Sequence, residues 1–358
     1  MNVIRVCELF SGIGGFRYGL EAASNQFKTV FANELDKWAA SIYRHHWPDD
    51  SLCEGDIRNI QAKDIPDFDI LCGGFPCQPF SMASGKRKGL KDPRGTLIYE
   101  ILRIAKTKQP QMLFLENVPG IFSIQQGEVF QTILEKMGEL GYLCEWKVLN
   151  SQFFGVPQSR RRVFIIAHTA KRNRGGRTVF PIPQSNDNNC KKNSMGREIV
   201  SPTPTASSGA TCNIGGHTLV TQSVVPTITA HIGNVGGSEP LVVVPRPTAK
   251  DTDQLRVYTN CVPTLMSRMG TGGGNVPFVL QEDTPWRMRR LTCVECERLQ
   301  GFPDYWSQHG LTLTGEQIEI SNTQRYKTLG NAVTTNVIAA VGHLIADFFL
   351  KNRRCNNT

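Results

Sequence analysis

Long apolar runs are missing from this chain. None of its 358 residues fall in a stretch of eighteen consecutive apolar side chains, and Met1 to Phe10, carrying Arg5 and Glu8, reads as a strand. Both features argue against a membrane span and a secretory signal. The most apolar late segment, Val337 to Leu350, is interrupted by His343 and Asp347 and has the pattern of an amphipathic helix. A disulfide framework is also missing. The 11 cysteines are odd in number and irregularly spaced, which suits a reducing, cytoplasmic setting. Cys293 and Cys296 have the pair spacing of a zinc site, yet no second pair or histidine partner completes it, so core cysteines and no metal are expected.

What is present supports one large domain and a smaller one. The formal net charge is +9, which makes polyanions fitting partners. Basic residues gather in one stretch: Lys171, Arg172, Arg174, Arg177, Lys191, Lys192 and Arg197 face only Asp187 and Glu198. Up to about His168, apolar strand patterns alternate with helical ones. Strands are expected near Ile4–Phe10, Thr29–Asn33, Asp69–Cys72, Met112–Leu115 and Val163–Ala167, with helices from Phe16 and from Lys37. That alternation predicts an α/β, doubly wound, mostly parallel sheet. From about Arg172 to Asp283 the composition shifts to Gly, Pro, Ser, Thr and Asn. Units beginning Ser201-Pro202-Thr203, Val225-Pro226-Thr227 and Val262-Pro263-Thr264 suggest a degenerate repeat of short strands; the last two end in Pro240-Leu241-Val242 and Pro277-Phe278-Val279. Helical character returns at Thr292–Arg298 and after Asn331.

The segment Gly73-Gly74-Phe75-Pro76-Cys77-Gln78-Pro79-Phe80-Ser81 presents a cysteine in a proline-flanked turn after a buried strand. In α/β proteins the carboxyl edge of the sheet is where ligands and chemistry sit, so Cys77 reads as functional rather than structural. A second signal is Phe10-Ser11-Gly12-Ile13-Gly14-Gly15-Phe16, a glycine turn between the first strand and the first helix. Its spacing is not the Gly-x-Gly-x-x-Gly of dinucleotide sites. Glu34 follows the second strand and Asp56 follows a possible third; each could be an exposed turn acid or a ribose ligand. With the glycine turn, two carboxylates and no phosphate site suit a positively charged adenosine ligand such as S-adenosylmethionine.

Phe10–Phe16, Gly73–Ser81, Glu116-Asn117-Val118, Gln158–Arg162 and Gly330-Asn331-Ala332-Val333 occur in the order typical of DNA cytosine-5 methyltransferases of the bacterial and phage type, and the chain resembles that family. The resemblance spans about 4–168 and 286–345. It implies a Rossmann-like methyltransferase sheet with one antiparallel strand, plus a smaller irregular β-rich target-recognition domain. The implied division is 1–172, completed by 318–358, for catalysis and cofactor, and 173–317 for target recognition and hinge. It further implies S-adenosylmethionine contacts from Phe10, Gly12, Gly14, Gly15, Glu34, Asp56, Ile57, Pro76, Leu97, Asn331 and Val333. Leu35 departs from relatives that carry a tryptophan against the adenine.

The chemistry such an enzyme needs fits the remaining residues. A thiolate added to carbon 6 of cytosine turns carbon 5 into a nucleophile, and Cys77 suits that role. Glu116, ending the Met112–Leu115 strand, can supply a proton or hydrogen bond at ring nitrogen 3. Arg160 and Arg162 directly precede the strand at Val163, two residues apart and so on one face. They reach the active edge only if that strand is antiparallel. The resemblance gives Arg162 the base's carbonyl oxygen and Glu116, and gives Arg160 the thiolate region. Ser81 and the following basic loop, with Lys86, Arg87 and Lys88, can close over DNA phosphates. Double-stranded DNA is the expected substrate, with the target base flipped out. The region between Arg172 and Asp283 is expected to choose the sequence without performing chemistry. A monomer is expected, in a bacterial cell or phage-infected host, with a restriction endonuclease as a genetic partner only. A tRNA cytosine-5 methyltransferase on the same frame is the alternative, and a nonenzymatic DNA-binding regulator is a third reading.

Overall fold

The computed structural model describes residues 3–75, 97–169, 178–180, 211–214, 217–220, 241–245, 255–259, 262–267, 278–281 and 287–354. Pro76, Cys77, Ser81, Lys86, Arg87 and Lys88 lie outside the described residues, as does most of the basic stretch from Lys171.

The first half runs β1 (Ile4–Leu9), α1 (Gly15–Ala23), β2 (Phe27–Glu34), α2 (Lys37–His46), β3 (Leu52–Glu54), β4 (Ile70–Gly74), α3 (Leu97–Lys108), β5 (Met112–Asn117), α4 (Glu128–Glu139), β6 (Tyr142–Asn150), β7 (Gln158–Ser159) and β8 (Arg161–Thr169). Seven of these strands form one sheet in the order β3-β2-β1-β4-β5-β8-β6. Successive residues of the central strands enter different cores, as a period of two requires. Cys7, Leu9, Leu71, Leu113, Leu115 and Ile165 face α3 and α4. Val6, Ile70, Cys72, Phe114 and Phe164 face α1 and a late helix. Both faces are therefore covered, and the strands read as continuous apolar runs.

Strand β8 runs antiparallel to both β5 and β6, while the other pairs of the sheet are parallel. The expected single antiparallel strand is present, and it starts at Arg161, so that Arg162 lies within it. The possible third strand before Asp56 is present as β3, only three residues long. The edge strand β6, which mixes Glu145, Lys147 and Asn150 with Leu143 and Trp146, carries no clear strand pattern.

Among the described residues the middle region is mostly strand: β9 (Thr211–Ile214), β10 (His217–Val220), β11 (Leu241–Pro245), β12 (Leu255–Thr259), β13 (Val262–Pro263), β14 (Phe278–Gln281) and β15 (Arg287–Arg290). Four of these make an antiparallel sheet, β12-β11-β14-β15. The two similar repeat endings pair with each other, Val242 opposite Val279 and Val243 opposite Phe278. The opening of the third repeat does something else: Val262 and Pro263 pair in parallel with Gln158 and Ser159 of β7.

The chain then forms α5 (Cys293–Leu299), the hairpin β16 (His309–Leu311) with β17 (Gln317–Glu319), α6 (Asn322–Asn331) and α7 (Thr335–Arg354). Thr292 and Glu295 make a reciprocal capping box that starts α5. Cys293 and Cys296 are buried in a third core with Ile13, Ile42, Leu265, Trp306 and Leu329. That core fastens the stretch after β15 to α1 and α2. The segment Asn322–Asn352 is long and apolar enough to cross a membrane by length and composition, but 67% of its apolar window is buried. Val337, Ile338, Val341, Ile345 and Phe349 pack with Phe16 and Leu20 of α1, which is why this helix is so apolar.

Candidate active site and cofactor pocket

A cavity of about 800 Å³ opens at the carboxyl edge of β1, β2, β4 and β5, where strand order reverses between β1 and β4. Its volume is in the range of small-molecule sites. Phe10, Gly12, Glu34, Asp56, Ile57, Leu97, Glu116, Arg160, Arg162 and Asn331 all line it. Residues far apart in sequence thus line one cavity.

At one end, Phe10 adopts φ 55, a strained value for a bulky side chain, and Gly12 adopts φ 56. A Cβ on Gly12 would meet nothing within 4 Å, so this backbone faces open space that a ligand can occupy. The half-buried Glu34 carboxylate organises the turn. Its Oε2 accepts the Gly12 N–H at 2.7 Å, and its Oε1 accepts the N–H groups of Leu35 at 2.9 Å and Asp36 at 2.7 Å. Burial raises the pKa of Glu34 in spite of these donors. Asp56 is held by Arg58, whose Nε lies 3.0 Å from both carboxylate oxygens, and it caps the short turn Ile57–Asn59. Leu35 stands 67% exposed at the cavity mouth.

The other glycines of the turn do not line the cavity. A Cβ on Gly14 would lie 2.1 Å from the Trp47 ring, and one on Gly15 would lie 2.6 Å from Val333. Gly14, Gly15 and Val333, expected as cofactor contacts, close the packing of α1 against its neighbours. A glycine motif reports close approach, and sequence does not tell a ligand from a tryptophan.

At the other end, Glu116 Oε1 accepts from Arg162 Nε at 2.8 Å. Both side chains are largely shielded from solvent, which makes this charge-assisted contact stronger than a surface pair. Gly74 leaves room for it, since a Cβ there would fall 2.9 Å from Glu116 Oε2. Asn117, the next residue, is 1% exposed and donates from Nδ2 to the Phe75 carbonyl at 3.2 Å. It thereby fixes the backbone entering the Pro76-Cys77 segment. The sequence motif assigns Asn117 no role, because its contact is to a main-chain atom that no pattern reveals.

Arg160 lines the same cavity, its described bonds run to main-chain carbonyls, and its expected partner Cys77 lies outside the described residues. Nη1 donates to the Leu265 carbonyl at 2.9 Å and Nη2 to the Ala332 carbonyl at 2.7 Å, with longer contacts to the Gly330 carbonyl. Full burial drives its pKa down. Arg160 is thus a strut joining β7–β8 to the end of the middle region and to the Gly330–Val333 motif. Gln300 reinforces it, donating to the carbonyls of Leu329 at 2.7 Å and Ala332 at 3.3 Å. Thr264 to Ser267, within the region expected to choose the sequence, also line the cavity.

The model for C-5 cytosine-specific DNA methylases matches residues 4–347, nearly the whole chain. The chain belongs to this family. It is 32% identical over 347 residues to the Type II methyltransferase M.HhaI of Haemophilus parahaemolyticus, covering 96% of this chain and 94% of that protein. Identity is also 32% over 358 residues with the Type II methyltransferase M1.ScrFI of Lactococcus lactis subsp. cremoris, covering 98% and 80%. Among solved structures, the S. pombe Dnmt2 methyltransferase superposes with a TM-score of 0.60 at 20% identity, over 96% of this chain and 99% of that one. That last likeness is one of fold. The protein is therefore a DNA cytosine-5 methyltransferase, and enzymes of this family and fold use S-adenosylmethionine.

Proposed function

We propose that the cavity holds S-adenosylmethionine at its Glu34 end and a flipped-out cytosine of double-stranded DNA at its Glu116 end. The observation that carries this is the shared cavity: a half-buried acid bonded to an open glycine turn and a carboxylate–guanidinium pair, both on the strand edge that leads into Pro76-Cys77. Gly12, Glu34 and Asp56 offer backbone approach and carboxylates for an adenosine, while Phe10, Ile57, Leu97 and Asn331, with Pro76, enclose it. The bound cofactor supplies an electrophilic methyl sulfonium.

The chain's own residues do the rest. The Cys77 thiolate adds to carbon 6, and electron density moves toward ring nitrogen 3. Glu116 meets it there with a proton or hydrogen bond, and Arg162 holds Glu116 in place. Carbon 5, now nucleophilic, would take the methyl group as its bond to sulfur breaks. Loss of the carbon 5 proton to solvent, with departure of the Cys77 thiolate, then restores the aromatic ring. Arg160 acts on this end of the cavity through the backbone it ties together. Ser81, Lys86, Arg87 and Lys88 serve as phosphate and base contacts on the segment that bears the nucleophile.

In the same reading, 1–172 with 318–358 form the catalytic unit, and 173–317 supply target recognition and hinge. The protein works as a monomer in the cytoplasm of a bacterial cell or phage-infected host, and the relatives' Type II names favour a cognate restriction endonuclease as genetic partner. Duplex DNA is favoured over tRNA because the family model and both 32% identical relatives belong to DNA-modifying enzymes.

Duplex DNA carrying 5-fluorocytosine at the target tests the central step, since fluorine blocks the final elimination. The wild-type protein should form a denaturant-stable complex, and Cys77→Ser should not. Robust methylation by Cys77→Ala would sink the assignment. Bisulfite sequencing of DNA from expressing cells then reads the base and its sequence context together.

A further inference from the structure

Two walls of the cavity come from different parts of the chain. One is the turn from β2 into α2, with Glu34, Leu35 and Asp36; the other is α6, with Thr328, Gly330 and Asn331. Among the described residues an ion pair joins them: Lys327 Nζ donates to Asp36 Oδ2 at close range. Lys327 does not itself line the cavity, whereas Asp36 does.

Asp36 is the junction of three contacts. Its Oδ1 caps α2, accepting from Trp38 N at 2.9 Å and Ala39 N at 3.2 Å. Its own N–H donates to Glu34 Oε1 at 2.7 Å, and Glu34 in turn holds Gly12. The remaining oxygen is left for Lys327. Against burial, the Lys327 ammonium and the N–H groups of Ala39 and Trp38 draw Asp36 below the usual carboxylate range. A charged Asp36 next to Glu34 would otherwise repel it, and the ammonium offsets that repulsion.

The side chains of Lys327 and Asp36 are 36% and 26% exposed. The pair is therefore wet enough to open and close, unlike the buried Arg325–Glu297 bridge, which anchors the start of the same helix to the end of α5 at 3.0 Å. Arg160 and Gln300 fix the far end of α6 to the core. The contact to Asp36 adds a charged link between this anchored helix and the β2–α2 turn, beside the apolar packing of Ala39 and Ile42 with Leu329.

We infer that Lys327 is a positioning residue for the cofactor, acting through Asp36 as a latch that holds the α6 wall of the pocket against the Glu34 turn. The latch slows cofactor release without touching the reacting atoms. It rests on the reading of this cavity as the cofactor pocket.

Titration calorimetry with S-adenosylhomocysteine on the full chain tests it. Lys327→Met should weaken binding about three- to fivefold, the span of a half-exposed ion pair. Lys327→Arg should stay within about twofold of wild type, since it restores the charge. Asp36→Asn keeps a helix-capping oxygen but loses the charge, and should match Lys327→Met. The double variant should be no weaker than either single one, because the two changes break one contact. In stopped-flow binding the change should fall on the dissociation rate. In methyl transfer, Lys327→Met should raise KM for the cofactor and leave kcat at saturation unchanged.

Unaltered affinity in Lys327→Met, or losses that add in the double variant, would overturn the latch. Glu34→Ala separates this failure from that of the pocket itself. Strong loss of binding in Glu34→Ala with none in Lys327→Met removes the latch alone, while wild-type affinity in Glu34→Ala removes the pocket assignment and the latch with it.

Discussion

Glu116 and Arg162 meet at 2.8 Å across the antiparallel junction of β5 and β8. In that register Asn117 lies opposite Val163, so Arg162 sits just beyond the last pair, at the carboxyl end of β5. A parallel strand would have put its opening arginine at the other end of the sheet. The single reversed strand is what lets a residue from a strand's beginning support one from a strand's end.

If Arg162 holds Glu116 for catalysis, Arg162→Ala should lower the single-turnover methyl-transfer rate by about 10²-fold or more, the scale for losing a preorganised donor. Glu116→Gln should lose about 10²-fold, in the range of general acid catalysis. The two losses should fall well short of adding in the double variant, because the residues act as a unit. Rates unchanged at saturating DNA and cofactor would refute the roles.

Leu35 stands exposed at the cavity mouth, where an aromatic ring could cover an adenine. Leu35→Trp should tighten S-adenosylhomocysteine binding by about tenfold, since base–aromatic stacking contributes roughly 1–3 kcal/mol. Calorimetric affinity equal to wild type would place the adenine elsewhere.

Glu8 is fully buried in β1, with Tyr43 donating to it at 3.2 Å and the Arg17 N–H at 3.4 Å. Burial pushes its pKa up to about 8 from an ordinary 4.5, although the Arg17 charge opposes the rise. Between these values the folded chain holds a proton that the unfolded chain releases. Stability from this group is thus complete below about 4.5 and is lost as pH climbs through about 8. Urea unfolding at pH 5.5 and 7.5 should show wild type losing about 1.4 kcal/mol per pH unit relative to Glu8→Gln. Parallel pH profiles for the two proteins would show that Glu8 stays ionised.

Replacing 172–261 with the counterpart from a relative of different specificity should move methylation to that relative's site while Cys77 remains essential. The exchange must leave Val262 to Ser267 in place, because Thr264 to Ser267 line the catalytic cavity. A folded, active chimera that still methylates only the original sequence would locate specificity elsewhere.

The parts of this protein that sequence displayed well are those where one residue type has one physical use. Continuous apolar strands such as Met112–Leu115 must be covered on both faces, so β5 and its neighbours were visible. Glu34, Glu116 and Arg162 are ionic side chains at strand ends, and the cavity gathers all three. Residues with two uses were harder to read. Gly14 and Gly15 serve packing, and Arg160 is bound to main-chain carbonyls of segments more than a hundred residues away. Edge strand β6 carried too many polar residues to look like part of a sheet.

The reversed strand also fixes where the middle region is attached. The chain leaves β8 at Thr169, beside Gln111 at the amino end of β5, and comes back at Val262, beside Gln158 at the opposite end of the sheet. Nine residues of β8 separate those two exits, about 26 Å of extended chain. Any shortened connection must therefore cross the full height of the sheet and needs at least about eight residues to reach. A deletion that sutured Thr169 directly to Val262 would pull β7 away from β13 and take Gln158 and Arg160 with it.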